Sequence, residues 1–299
     1  MSTYKTVALS GASGTVGKEV LKALLNAGFT VTALTRSDSD ASFPSGVEVA
    51  KVDYNDVKSL TMALKGHDAV ISAVGYAGMQ GQTILVDAAV AAGVKRIIPS
   101  EFGADPEAPR PRNLPVFGHK LQVERHIRAK IKGTETTYTL VCNNELLDWD
   151  LDHGFVADLE KRTMEVLDGG DWVFTATPIP MVACGVVGVL QHPNETANRV
   201  VRLHGASMTQ NKLFGLLRSC TGANEWEVTH ATSAAKERES YRLLQSDPSN
   251  MIAWAIPMLL CATFGAEWQN DFSKNNDNAL LGLKELSDAE LEGIVRARA

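Results

Sequence analysis

Apolar residues follow two rhythms along this chain. Short, nearly unbroken runs at residues 6–10, 30–34, 47–52, 69–74, 96–99 and 137–141 read as strands, and the most continuous of them, 69–74, is of the kind buried on both faces of a parallel sheet. Between the runs, apolar positions recur at helical spacing. Val16, Val20, Leu21, Leu24 and Leu25 make one such face, closed by Gly28. Residues 56–64, 82–92 and 116–129 make three more, and Gly93 stops the one before it. Strand and helix alternate to about residue 100. That alternation predicts an α/β fold: a Rossmann-type, doubly wound parallel sheet with right-handed crossovers.

Beyond residue 141 the alternation loosens. Residues 172–176 and 200–203 read as strands. Residues 180–190, 210–220 and 234–244 read as helices, and Ser287 to Glu290 has capping-box spacing. The expected division is a nucleotide-binding domain over 1–155, with strands near 172–206 returning to it. Residues 156–299 form a smaller, mostly helical substrate-binding part. The most hydrophobic stretch, 251–266, contains Pro257 and is too short to span a bilayer comfortably. A buried or pocket-lining helix is expected there.

The first strand runs directly into Gly11-Ala12-Ser13-Gly14-Thr15-Val16-Gly17. A strand before, a helix after and a second strand at the right distance put a helix N-terminus at the end of strand one. Its free N–H groups and dipole suit a pyrophosphate. Gly11, Ser13, Gly14, Thr15, Val16 and Gly17 are therefore the first candidate cofactor residues. Strand two ends in Arg36-Ser37, where an NAD site usually carries an acid; an arginine there suits a 2′-phosphate. NADPH is the expected cofactor. Asp53 closes strand three, and Ser72, Ala73, Val74 and Gly75 end strand four. Gln82 opens the next helix and Ser100 follows strand five; these complete the candidate set on the nucleotide side.

A chain of 299 residues accommodates one large or two unequal domains. With 44% hydrophobic and 21% charged residues it fits a soluble globular protein. The net charge of -6, with no basic cluster, argues against a nucleic-acid partner. Cys142, Cys184, Cys220 and Cys261 lie far apart without C-x-x-C spacing, which predicts reduced thiols. Met1 is followed almost at once by the first strand, so no leader is expected; a cytoplasmic protein without a membrane partner is the reading.

Tyr54-x-x-x-Lys58 has the short-chain-dehydrogenase spelling but follows strand three, on the adenosine side, and is read as a chance match. The seven histidines form no ligand-spaced pair, so no metal site is expected. Residues 104–115 form an irregular loop with Pro106, Pro109, Pro111 and Pro115. Lys120, one turn into the helix that follows, is the sharper chemical candidate, although a helical lysine is ordinarily just solvated.

Three segments change that reading: Pro99-Ser100-Glu101-Phe102-Gly103, residues 116–125 around Phe117-Gly118-His119-Lys120, and residues 138–144 ending in Asn143-Asn144. They resemble the isoflavone reductase-like branch of the NmrA-like family, a group of atypical short-chain dehydrogenases. The family's glycine loop, post-strand arginine, K-R-x-x-P-S-E-F-G run and F-x-x-K lysine are matched by Gly11, Gly14 and Gly17, by Arg36, by Lys95 to Gly103, and by Phe117 to Lys120. The likeness covers residues 5–145. It implies hydride transfer from NADPH to an aromatic or conjugated small molecule, with Lys120 handling the proton. An amine in an apolar pocket can act as acid or base near neutral pH. It also implies that Phe102 and Asn144 flank the nicotinamide, and that residues 72–75 follow the pyrophosphate and ribose.

Where the family usually has Ser-Asn-Cys-Phe-Ala-Gly, this chain has Asn143-Asn144-Glu145-Leu146-Leu147-Asp148, and only Asn144 matches. The family's plant substrates therefore do not carry over. A phenolic, quinone-like or polyketide-derived substrate is expected, in a pocket drawing on Trp149, Phe155, Met181, Trp254, Met258 and Phe264, any of which could equally be core. Two other readings stand beside the reductase: a non-catalytic NADP(H)-sensing regulator, and an isomerase or dehydratase that keeps the nucleotide as structure. The assembly is read as monomer or homodimer.

Overall fold

The computed structural model describes residues 4–298 apart from 223, 224, 267 and 269. The chain begins β1 (Thr6–Ser10), α1 (Thr15–Asn26), β2 (Thr30–Arg36), β3 (Glu48–Val52), α2 (Val57–Leu64), β4 (Ala69–Ser72), α3 (Gln82–Ala91) and β5 (Arg96–Ile98). Next come α4 (Pro109–Arg112), α5 (Gly118–Lys130) and β6 (Thr137–Cys142). After β6 it continues with α6 (Leu147–Asp152), β7 (Thr163–Leu167), β8 (Phe174–Ala176), α7 (Ile179–Gln191), β9 (Arg199–Arg202) and β10 (Ala206–Met208). It closes with α8 (Gln210–Thr221), β11 (Glu227–Ala231), α9 (Ser233–Ser246), α10 (Met251–Phe264), α11 (Asn278–Leu281) and α12 (Asp288–Arg296).

Seven strands form one parallel sheet in the order β3-β2-β1-β4-β5-β6-β9. The strand order reverses between β1 and β4. In such a sheet that switch opens a crevice beyond the carboxyl ends of the strands. Val7, Leu9, Val31, Ile71 and Ile98 are fully shielded from water, because helices cover both faces. On one face α1 and α7 pack together through Val20, Leu24, Val182, Val186 and Leu190. Arg96 is buried in β5, yet its guanidinium donates to the hydroxyls of Thr137, Thr139 and Thr196 and to the Pro193 carbonyl, so the charge is satisfied.

β9 joins the sheet beside β6 and pairs Thr139 with Arg199 through Cys142 with Arg202. Arg202 then reaches forward to the proline loop, 2.8 Å from Asp105 and 2.7 Å from Glu107. That loop is less irregular than its composition suggests: it holds α4 and a 3-10 turn at Pro115–Phe117. The strand expected over 69–74 stops at Ser72, and the one expected from 172 starts at Phe174, since Trp172 and Val173 are exposed. The polar and aromatic stretch 143–154 contains α6. β7, β10 and β11 are not announced by the hydrophobic pattern. They form two two-stranded sheets, β10 with β8 and β11 with β7, and β11 is largely exposed. No helix among the described residues is long and apolar enough to cross a membrane.

Candidate active site

The loop between β1 and α1 is built around the absence of side chains. Gly11 has φ +77°, and a Cβ on it would stand 2.5 Å from the Ala73 carbonyl oxygen. At Gly17 a Cβ would lie 2.0 Å from the Gly11 carbonyl oxygen. Gly14 caps α1 with no side-chain partner, and its N–H donates to Gly11 O at 2.9 Å. The first-turn N–H groups of α1 have no intrahelical acceptor. Ser13 and Thr15 are exposed and Val16 is half-buried around that open end. This cradle fits a pyrophosphate, whose oxygens would take those N–H groups.

Arg36 ends β2 as an exposed side chain, its Nε 3.3 Å from Asp38. Ser37 and Asp53 are exposed beside it, with β3 paired to β2 as far as Val52. Beyond β4, Ala73 donates its N–H to Ser10 O, which holds residues 73–75 against the glycine loop. The Ser72 hydroxyl is buried with no partner. Gln82 and Ser100 lie close to this loop, but their polar groups are already engaged. The Gln82 amide oxygen accepts from Ser100 N at 2.8 Å, and the Ser100 hydroxyl donates to Val74 O at 2.7 Å. They brace the ends of β4 and β5. The hydroxyl of Tyr54 is likewise occupied, at 2.8 Å from Ser10 Oγ and 3.0 Å from Leu34 O, and burial pushes its proton affinity up. Tyr54 is therefore held against β1 and β2, with its hydroxyl engaged there.

Lys120 stands in the first turn of α5 and donates to the Glu101 backbone carbonyl. The amine lies 5.8 Å from the Phe117 ring centroid and would be 3.1 Å from a Cβ on Gly103. Phe102 and Asn144 both have left-handed backbones, with φ 24° and 54°. Non-glycine residues in that region carry strain that the surrounding structure must hold. Here Gly103 O accepts from the N–H groups of both Asn143 and Asn144, at 3.2 and 3.0 Å, which clamps the loops after β5 and β6 together. The Asn144 amide donates to Asn270 O at 3.0 Å.

Phe102, Lys120 and Asn144 share a cleft of about 180 Å³ with Glu145, Trp149 and Thr263. A larger cavity of about 560 Å³ shares Trp149, Phe155 and Ile256 with it. Of the expected pocket residues, Trp149 and Phe155 line both. Phe264 packs edge-on against Phe174 and borders the larger one. Trp254 and Met258 are core, packed with Leu114 and Trp268, and Met181 lines neither cavity. Aromatic and sulfur side chains that pack and those that line a pocket look the same in a sequence.

Three carboxyl groups border the cavities that Lys120 lines: Glu101, inside the run at 99–103 but given no role there, and Glu145 and Asp150, which no motif singles out. Burial pushes Glu101 up to about 7, against the pull of the Lys120 ammonium. Burial also raises Glu145, against the Thr263 hydroxyl, Asp150 and Lys120. Asp150 is raised well above the carboxylate range by burial and by Glu145 and Asp148. The one available signal is two acids five residues apart, in the segment where the chain departs from the family pattern.

A family model described as the NmrA-like family matches residues 3–148. The chain is 32% identical over 298 residues to oxidoreductase poxI of Penicillium oxalicum, covering 94% of this chain and 90% of that one. It is 32% identical over 262 residues to oxidoreductase aprR of Aspergillus flavus, covering 86% of each. Among solved structures, the leucoanthocyanidin reductase–NADPH complex of Vitis vinifera superposes with a TM-score of 0.79 over 98% of this chain and 99% of that one. At 19% identity that likeness is one of fold.

Proposed function

The chain belongs to the NmrA-like, isoflavone reductase-like family, and we propose that it is an NADPH-dependent reductase of a small aromatic or conjugated substrate, with Lys120 as general acid/base. The observation that carries this reading is one of placement. The Lys120 amine, Phe102 and Asn144 line one cleft, formed by the loops that follow β5 and β6 in the sheet whose β1 leads into the glycine cradle. When bound, NADPH supplies the hydride. Gly11, Gly14 and Gly17 leave room for its pyrophosphate, and Arg36 with Ser37 meets the 2′-phosphate. Residues 72–75 follow the ribose. The Glu101 carbonyl orients the amine, and Phe102, Trp149 and Phe155 exclude water from it.

The adjoining cavity supports a substrate longer than one ring, and residues after 155 supply its far wall. An amine held by a backbone carbonyl in a concave, aromatic cleft supports catalysis over pure nucleotide sensing, which needs no such group. The test is incubation with NADPH deuterated at the transferred position and a panel of enones, quinones, aromatic carbonyls and benzylic ethers. Deuterium in a reduced product is expected. NADPH left unoxidised across the panel, or product without label, would defeat the reading.

A further inference from the structure

Glu145 and Asp150 line the Lys120 cleft, and the reaction proposed above leaves them without a role. Asp150 is only 3% exposed, and its Oδ2 is buried with no hydrogen-bond partner. The Glu145 backbone is pinned to β8, its N–H donating to Thr175 O at 3.3 Å and its carbonyl accepting from Thr177 N at 2.8 Å. From α10, the Thr263 hydroxyl lies 2.5 Å from Glu145 Oε1 and 3.0 Å from Leu259 O. Glu145 and Asp150 are within hydrogen-bonding reach of each other. Two carboxyl groups this close, Asp150 buried and Glu145 half-buried, resist carrying two charges; one proton between them removes the repulsion.

The charged groups around the pair come from two elements. Lys120 of α5 attracts Glu145. Asp148 of α6 repels Asp150, while its own oxygens accept from Ile179 N at 3.1 Å. Thr263 of α10 is uncharged. Burial favours the protonated form of both, and the nearness of Glu145 puts the proton on Asp150, whose Oδ2 is buried and unpartnered.

We propose that Glu145 and Asp150 hold one proton between them and are the proton store of this cleft, returning Lys120 to its ammonium form after the amine has protonated the substrate. The inference rests on the reductase reading. In the step, an N–H bond of the Lys120 ammonium breaks and an O–H bond forms on the substrate, whose carbon has taken the coenzyme's hydride. A carboxyl O–H bond of the pair then breaks and the N–H bond re-forms. The pair is left with two charges until water returns the proton.

Glu145→Gln and Asp150→Asn keep shape and remove the transferable proton. Infrared spectroscopy of the full chain at pH 7, in a Glu101→Gln background that removes the other raised carboxyl, should show a protonated-carboxyl band that is lost or shifted in each variant. Turnover of an electrophile reduced by the wild type should fall about 100-fold in Asp150→Asn, at the low end for a lost acid, with NADPH affinity within about twofold. In Asp150→Ala, added formic or acetic acid should restore part of the rate, which a packing role would not allow. Variants with wild-type turnover, or a Glu101→Gln spectrum without the band, would overturn the proton store and leave the reductase standing. The band together with no turnover of any electrophile by the wild type would remove the reductase reading, and the store's role with it, while leaving the shared proton.

Discussion

The loops after β1 and β6 both serve the cleft, by opposite means. The first works chiefly through backbone: Gly11, Gly14 and Gly17 let chain approach chain, and only the short side chains of Ser13 and Thr15 stand exposed. The second works through side chains, placing Asn144 against Asn270 and Glu145 against Thr263, more than a hundred residues away. A cradle of N–H groups suits any ligand with a pyrophosphate and is written in a fixed spacing. A wall of side chains is particular to one substrate. The two loops thus divide general binding from individual chemistry.

Four measurements test that division. The largest effect is expected at Lys120. Lys120→Ala should lower kcat by on the order of 10² to 10⁴, the range for a lost acid/base, while calorimetry finds NADPH affinity nearly unchanged. A parallel loss of NADPH affinity would merge the two functions and break the comparison.

Glu101 comes next. Its carboxyl titrates at about 7 in the fold, above the ordinary 4.5, so the folded state binds the proton more tightly than the unfolded chain. The stability this contributes is fully present below the unfolded value and is lost as pH rises through 7. The loss is up to about 3 kcal/mol from pH 4.5 to above 7. Glu101→Gln should flatten that slope in urea titrations at pH 5 and 8; a slope unchanged by the substitution would contradict the assignment.

Gly17→Ala addresses the backbone loop. A methyl 2.0 Å from the Gly11 carbonyl forces chain apart, so a cost of about 1–3 kcal/mol in urea is expected, with a weaker NADPH isotherm. Gly14→Ala, 3.2 Å from the same oxygen, should be milder, and equal effects would remove the steric argument. Arg36→Ala should be the smallest change. NADPH binding should weaken about tenfold, 1.4 kcal/mol, with NADH unaffected. Equal weakening of both would take Arg36 away from the 2′-phosphate.

The legibility of the chain follows the same line. β1, β2, β4, β5 and β6 read directly from the sequence because strands buried on both faces have no polar side to blur the run, whereas the edge strand β3 is mostly exposed. Even Arg96 does not break the reading, since neighbouring hydroxyls and a carbonyl satisfy it. β7, β10 and β11 escaped because three- to five-residue strands in two-stranded sheets carry no period long enough to see. Lys120 was legible only through resemblance: periodicity alone made it a solvated helical lysine, and the carbonyl that turns it inward belongs to a residue nineteen positions earlier. The Glu145 and Asp150 pair had almost no signal, because what makes it a pair is a cleft to which the distant α10 contributes a wall.

The pairing of Arg202 with Asp105 and Glu107 ties the proline loop to a strand 97 residues after Asp105. The glycine turn has its close contacts within the first 74 residues. The proline loop depends on β9, and the walls around the amine depend on Asn270. The turn after β1 is thus settled by near neighbours in the chain, whereas the walls around the amine are tied by bonds that span more than a hundred residues.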